Sequence, residues 1–163
     1  MLGETSLPSL DFLAAKYSQK IGSEFALIAE TEQDKETEQD KNYRILENLS
    51  TKALGVLQEQ GVYALFLFLL ARKGDGKNIE GKTAWILVRE LLSILAEPPL
   101  KALNLQYPQQ PGNAAVTVNH EDILDHIVEH ILPDQDTLFL VRNLIEQTLI
   151  YVRYTAKARK SKE

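Results

Sequence analysis

Apolar residues recur about every 3.6 positions along most of this chain, and no segment shows the strict apolar–polar alternation of a half-buried strand. Helices with one apolar stripe need neighbouring apolar faces to cover it. The pattern therefore predicts an all-α protein. We expect a compact helical bundle of about five to six helices with a long proline-containing loop, forming a single helical domain over residues 1–163.

Capping residues, glycines and prolines predict where these helices begin and end. Ser6 is a candidate N-cap for the first helix. Further helices are predicted over about 40–60 and 82–96, over a short segment from Asn119 to Pro133, and from about Asp136 to the basic end of the chain. Residues 62–71 are apolar on every side, which predicts a buried central helix, although a buried strand gives the same pattern.

Three segments are predicted to lie outside the helices. Residues 29–41 are rich in acids and indicate an exposed acidic connector. Residues 97–119 hold four of the six prolines and indicate a long irregular loop, which is uncommon in a small domain unless it serves a partner. Residues 159–163 form a basic tail.

Composition excludes several classes of function. The chain has no cysteine, which excludes disulfides, thiolate catalysis and cysteine-ligated zinc. The longest apolar run has ten residues, about half of a membrane span, and the N-terminal residues lack the features of a signal peptide. We therefore expect a cytoplasmic protein with no membrane partner.

The net charge of −5 is unevenly distributed along the chain. Residues 1–40 carry three bases and nine acids, and residues 106–141 carry six acids and no lysine or arginine. By contrast, residues 41–105 carry nine bases and six acids, and residues 142–163 carry six bases and two acids. Because a polyanion responds to local potential rather than to net charge, this distribution is compatible with nucleic-acid binding.

The segment Gly76–Thr83 matches the pattern G-x-x-x-x-G-K-[ST] of a phosphate-binding loop. In such a loop backbone amides surround the phosphates, Lys82 binds the β- and γ-oxygens and Thr83 binds magnesium. The motif also needs a preceding strand and an aspartate on a second strand, which the helical pattern does not provide. Two other interpretations are a flexible loop leading into a helix and a loop whose Lys77 and Lys82 contact a nucleic-acid phosphate.

Histidines and carboxylates are interleaved over residues 120–130. His126 and His130 stand four positions apart on one predicted helix face, a spacing that suits a metal ion. The alternative is an exposed histidine–carboxylate face in the most acidic part of the chain. We predict no metal and no cofactor here, and no catalytic constellation elsewhere.

The basic residues of the last predicted helix share one face. Arg142, Arg153 and Lys160 lie within about 20° of one another at 100° per residue, with Lys157 about 60° away. Arg142 and Arg153 are about 16 Å apart along the axis, which suits several phosphates along a strand.

Two sequence segments resemble a known family. The first is Lys41-Asn-Tyr-Arg-Ile-Leu-Glu-Asn-Leu followed by Gln60-Gly-Val-Tyr-Ala-Leu-Phe-Leu-Phe-Leu-Leu, and the second is Tyr151-Val-Arg-Tyr-Thr-Ala-Lys-Ala. With these segments the chain resembles the small all-helical subunit, the fifth Cmr subunit, of type III-B CRISPR effector complexes. The resemblance covers about residues 40–72 and 136–158.

The resemblance implies a non-catalytic subunit in antiviral defence. Such subunits stack in copies along the guide–target duplex, so the implied partners are the backbones of guide RNA and target RNA, the other effector-complex subunits and copies of the same chain. We therefore predict that seven bases neutralise RNA phosphates: Lys52, Arg72, Lys73, Arg89, Arg142, Arg153 and Lys157.

Two alternatives from other classes of protein remain. One is a nucleotide-binding enzyme that uses Gly76–Thr83 as its phosphate-binding loop. The other is a helical protein–protein adaptor that binds through residues 98–118 without RNA contact.

Overall fold

The computed structural model describes residues 9–32, 36–95, 97 and 120–160 of the chain. These residues form six α-helices and, within the described ranges, no strand: α1 (Leu10–Glu32), α2 (Glu36–Gln60), α3 (Val62–Lys73), α4 (Ile79–Ile94), α5 (His120–His130) and α6 (Gln135–Lys160). The predicted all-α bundle of five to six helices is therefore confirmed. The apolar run over 62–71 is helical, and the loop predicted over 97–119 falls, apart from Glu97, outside the described residues.

Helices α1 and α6 each begin at a side-chain cap. The hydroxyl of Ser9 accepts a hydrogen bond of 3.0 Å from the Phe12 amide, so the observed cap is Ser9, while Ser6 lies outside the described residues. The Asp134 carboxylate accepts a bond of 3.2 Å from the Thr137 amide. Each cap satisfies a backbone donor that has no partner inside its helix.

The acidic connector is shorter than predicted. Helix α1 continues to Glu32 and α2 already begins at Glu36, so most of the segment 29–41 belongs to these two helices. Nine of the thirteen residues of this segment are alanine, glutamate, glutamine or lysine, which have high helix propensity in spite of the clustered charge. The basic tail is also shorter, because α6 extends to Lys160.

Glycines separate α2, α3 and α4. A single residue, Gly61, joins α2 to α3, and its φ of 98° is a conformation that favours glycine. The two helices then pack against each other as a helical hairpin. Gly74 and Gly76 also have positive φ in the loop between α3 and α4. Helix α4 begins three residues earlier than predicted, because the Asn78 side chain caps it by accepting from the Gly81 amide at 2.7 Å.

The helices enclose one apolar core. Helix α1 packs between α4 and α6, α6 packs on α2, α2 on α3, α3 on α4, and α5 lies against α3. The largest fully buried side chains come from α1 to α4: Phe25, Phe66, Leu13, Ile21, Leu46, Leu49, Leu57, Leu65, Leu69, Leu87, Leu91 and Ile94. No helix of the described part combines the length and apolar character of a membrane span.

Three helix ends (α1, α3 and α6) and three helix starts (α2, α4 and α5) meet at one end of the bundle, which we call the lower end. The ring of Phe25 in α1 lies 5.1 Å from that of Tyr43 near the start of α2. Arg159 near the end of α6 reaches the Tyr43 hydroxyl at 3.5 Å. Ile28 of α1 lines a cavity with Lys73 at the end of α3 and with residues of the first turns of α4. The lower end therefore brings together bases that are far apart in sequence.

Candidate nucleic-acid interface

The seven predicted phosphate-binding bases lie on four helices, and the structure brings together two groups of them. Arg153 and Lys157 lie on α6 at the lower end of the bundle, and Lys73 and Arg89 line one cavity. Arg72 is close to the second group, at the end of α3. Lys52 and Arg142 lie apart from both groups along α2 and α6.

The row of bases predicted on α6 faces α2. The guanidinium of Arg142 donates to the backbone carbonyl of Gln58 at 3.1 Å, near the end of α2. At the other end of the row, the Lys160 ammonium donates to the Glu47 carboxylate at 2.7 Å. These contacts show that α2 and α6 run antiparallel. The residues that share one direction on α6 are thus partly engaged within the molecule, because that direction points toward the groove between the two helices.

Three bases near the end of α6, Arg153, Lys157 and Lys160, lie close enough to Glu47 of α2 for their charges to act on it. We call these three bases, together with Tyr154 and Arg159 of the same helix, the tail surface. The hydrogen bond from Lys160 lowers the pKa of Glu47, and the charges of Lys160, Lys157 and Arg153 lower it further. One carboxylate therefore stands among several cations, and the local potential is positive.

Bases at the end of α6 also have a structural role. Helix α6 has Lys157, Arg159 and Lys160 in its last turn, and α3 has Arg72 and Lys73 in its last turn. Cations at these positions complement the partial negative charge of a helix C-terminus, each contributing about 0.3–1 kcal/mol. Arg153 lies one turn earlier, where this effect has largely decayed, so helix stabilisation does not account for it.

Tyr154 belongs to the tail surface but is absent from the sequence-based prediction. Its side chain is 61% exposed, and it follows Arg153 directly and precedes Lys157 by one turn. An exposed aromatic ring between cations can stack on a nucleic-acid base. The pattern Arg-Tyr-x-x-Lys is visible in the sequence, but the exposure of Tyr154 follows only from how α6 is rotated in the bundle.

The central bases make specific contacts on α3 and α4. The Arg72 guanidinium donates to Glu80 at 3.1 Å and lies 5.2 Å from the ring of Phe68. The guanidinium of Arg89 donates to Glu24 of α1 at 2.5 Å. Both ion pairs are exposed, and such pairs contribute at most about 1 kcal/mol to stability. A phosphate can compete with carboxylates held so weakly.

Lys52 is exposed on α2. It makes no hydrogen bond or ion pair to any residue that the structure describes. It lies outside both groups of bases, and no structural contact explains it.

A cavity of about 300 Å³ opens between α1, α3 and α4. Three cations line it, Lys73, Lys82 and Arg89, together with the indole of Trp85. The Lys73 ammonium lies 5.2 Å from the centre of the Trp85 ring and 3.5 Å from Nε2 of His120. The sequence predicted Lys73 and Arg89 as phosphate-binding residues, but their neighbours Lys82 and Trp85 were not in that set.

The phosphate-loop motif has a different geometry from the one that nucleotide binding requires. The segment before it is helix α3 rather than a strand. The Gly81 amide donates to the Asn78 side chain at 2.7 Å, and the Lys82 amide donates to the Asn78 carbonyl at 3.0 Å. These amides start helix α4 and are therefore not directed toward a phosphate.

Three of the four fixed positions of that motif have structural explanations. Gly76 has φ +71° in the turn that follows α3. Gly81 allows α4 to approach the end of α3, because a Cβ atom there would lie 2.5 Å from the Lys73 carbonyl oxygen. Thr83 is fully buried and its hydroxyl donates to the Ile79 carbonyl at 2.6 Å, so it is not placed to bind magnesium. Of the motif, Gly76 and Lys82 line the cavity, and Lys82 supplies the charged side chain.

The two histidines that the sequence places on one face of α5 differ in exposure. The rings of His126 and His130 lie 4.7 Å apart, with His126 buried and His130 exposed. No group of three or more histidine, aspartate or glutamate side chains in the described part is arranged to hold a metal ion.

Comparison of the chain with protein-family models, with curated proteins and with solved structures finds no match. The resemblance to the small CRISPR subunit therefore rests on the sequence segments quoted for it.

Proposed function

We propose that this chain is a non-catalytic small subunit of a type III CRISPR RNA-guided effector complex that binds the backbone of guide and target RNA. The observation that carries the proposal is the tail surface, where the charges of Arg153, Lys157 and Lys160 converge on Glu47 and the ring of Tyr154, the residue after Arg153, is exposed. Cations bind phosphates without regard to sequence, and a ring stacks on any base. A subunit that must accept every guide sequence needs this type of contact.

The spacing of the bases supports contact with an extended backbone. Arg153 and Lys157 are one turn apart on α6, about 6 Å along its axis. They can therefore meet neighbouring phosphates of a single strand. Arg142 is better described as a residue that fixes α6 against α2, since its guanidinium binds the Gln58 carbonyl.

Stacking of copies enters the proposal through the resemblance. Acids occur at both ends of the bundle: Glu30, Glu32, Glu36 and Glu38 where α1 ends and α2 begins, and Glu59, Asp134 and Asp136 where α2 ends and α6 begins. The bases of the tail surface and of α3 can therefore meet the acids of Glu59 and α6 in a second copy, a contact between two different surfaces that repeats along an axis. Such an array also increases the effective concentration of each weak RNA contact.

A titration with RNA tests the tail surface. We expect Arg153→Glu and Lys157→Glu each to weaken binding to a guide–target duplex and to a single strand, and to reduce the slope of log affinity against log salt by about 1. Fluorescence anisotropy at several salt concentrations measures both quantities.

The matched control is Lys77→Glu, which makes the same change of charge at an exposed lysine in the loop between α3 and α4. It should leave affinity and slope nearly unchanged. If Lys77→Glu and Lys157→Glu weaken binding equally, RNA is attracted either by net charge or also by the loop between α3 and α4, and the tail surface is not the particular RNA site.

Co-purification tests the assignment to an effector complex. We expect a tagged copy, isolated from the cells in which it occurs, to bring down larger protein subunits and a short RNA of uniform length. The double variant Arg153→Glu/Lys157→Glu should recover less of this RNA. Recovery of the partner proteins without RNA would instead indicate a helical protein–protein adaptor and would overturn the proposal.

A further inference from the structure

Lys82 lines the cavity between α1, α3 and α4. It has no role in the proposed RNA contact, and the backbone around it does not have the geometry of a phosphate-binding loop. We propose that this cavity binds the phosphate group of a nucleoside 5′-phosphate, held by the side chains of Lys73, Lys82 and Arg89 and packed against Trp85. The proposal is independent of the tail surface.

The donors of the lining favour a terminal phosphate. Three cations line the cavity, and two carboxylates stand beside them: Asp75 in the lining and Glu24, which binds Arg89. The three cations therefore outnumber these carboxylates, and an anion can neutralise the excess. A phosphomonoester presents three terminal oxygens as acceptors, one for each cation. A phosphodiester presents two, so it would leave one cation without a phosphate contact.

The remaining lining has the character of a site for the nucleoside. Trp85, Ile28 and Ile86 supply aromatic and aliphatic surface beside the cations. A volume of about 300 Å³ stands at the small end of the range for ligand cavities. It therefore suits one nucleotide rather than a dinucleotide cofactor.

The bases in the cavity are held in place by other contacts. The Lys73 ammonium lies over the Trp85 ring, and the Arg89 guanidinium is oriented by Glu24. A guanidinium has five donors, so an Arg89 that binds a carboxylate can still donate to a phosphate. The close approach of Gly81 to the Lys73 carbonyl fixes the distance between the end of α3 and the start of α4. The site is thus formed before a ligand arrives, which lowers the cost of binding.

Trp85 is the only tryptophan of the chain, so its fluorescence reports on this cavity. We expect adenosine 5′-monophosphate to cause a saturable change in tryptophan emission, and adenosine to cause none. Lys82→Gln should weaken the binding of the monophosphate about tenfold, the loss of one charge-assisted hydrogen bond. Thermal unfolding gives a second measurement, since a ligand that binds the native state raises the melting temperature.

Lys77→Gln is the matched control, because Lys77 lies in the neighbouring loop but not among the residues that line the cavity. It should bind the monophosphate as the parent does, and so should Arg153→Glu/Lys157→Glu, which separates this proposal from the RNA contact. A comparison of 5′-phosphorylated with 5′-hydroxyl oligoribonucleotide shows whether an RNA end is also accepted. Any of three results would overturn the proposal: no saturable change with either phosphate probe, equal binding of adenosine and the monophosphate, or equal affinities of Lys82→Gln and Lys77→Gln for the monophosphate.

Discussion

At Gly81 the first turn of α4 lies so close to α3 that no other residue fits without movement. A Cβ atom there would meet the Lys73 carbonyl oxygen at 2.5 Å and the Gly76 Cα at 3.2 Å, both of them backbone atoms. The glycine of an apparent nucleotide motif is thus required for helix packing. The match to the motif could not distinguish these two roles. A glycine that is required for helix packing and a glycine that is required for phosphate binding are identical in the sequence.

We predict that Gly81→Ala lowers the free energy of unfolding by about 1–3 kcal/mol, the usual cost of forcing atoms into a packed contact. The comparison is Gly55→Ala in α2, where a Cβ atom would meet nothing within 4 Å. Alanine is the better helix former by about 1 kcal/mol, so Gly55→Ala should stabilise the protein. Denaturant unfolding followed by circular dichroism measures both. A neutral Gly81→Ala would show that α4 can move away from α3 at no cost.

At the scale of the helices, the contact between α1 and α4 contains a buried carboxyl group, that of Glu90. Its burial could not be predicted from the sequence. Glu90 is only 3% exposed, and its Oε2 accepts no hydrogen bond from the described residues, although the Lys20 ammonium lies 3.5 Å away. Burial raises the pKa of Glu90, and its hydrogen bond and repulsion with Glu24 raise it further, against the charges of Lys20 and Arg89. An adjacent carboxyl group behaves in the opposite way. A hydrogen bond from the Tyr17 hydroxyl, at 2.7 Å, and one from Lys16 lower the pKa of Glu97.

These two shifts predict pH effects of opposite sign. The native state binds the Glu90 proton more tightly than the unfolded state does, so the contribution of Glu90 to stability is greatest at low pH and declines as the pH rises through its raised pKa. Glu97 contributes above its ordinary pKa, and the contribution is lost as the pH falls through its lowered value. Between about pH 3 and pH 8, Glu90→Gln should therefore gain stability relative to the parent as the pH rises, and Glu97→Gln should lose it. Chemical denaturation at several pH values measures the differences, and parallel curves for the two variants would contradict this assignment.

The elements themselves were largely predictable. Periodicity identified most of the helices because a helix that buries one apolar stripe repeats its apolar residues about every 3.6 positions. The ends of α4 were harder to predict. The glycine-rich sequence around Asn78 indicates an irregular loop and gives no sign that Asn78 caps a helix. The rotation of α6 could not be predicted from its own sequence. Arg142 and Lys160 share a direction with Arg153, but only the position of α2 decides that this direction is a groove.

At the scale of the whole molecule, the arrangement of helices determines which bases meet. Lys73, Lys82 and Arg89 come from neighbouring parts of the sequence, so a local argument could have grouped them. The tail surface depends on a contact between Glu47 and Lys160, which are separated by 113 residues. A sequence pattern shows which residues share one face of a helix, but it does not show which helix packs against that face. The seven predicted bases therefore include residues of the tail surface, residues of the cavity and two residues, Lys52 and Arg142, that belong to neither group.

Helix α6 supplies the most extensive packing for both α1 and α2, whereas those two helices contact each other little. A ribosome makes α1 and α2 long before α6. Until α6 has emerged, the nascent chain leaves uncovered the parts of α1 and α2 that pack on α6, and it exposes them to chaperones and to other nascent chains. Of the described helices, the one synthesised last therefore covers the most extensive apolar contacts, and an interruption of translation before about residue 135 would release a product whose core stays partly open.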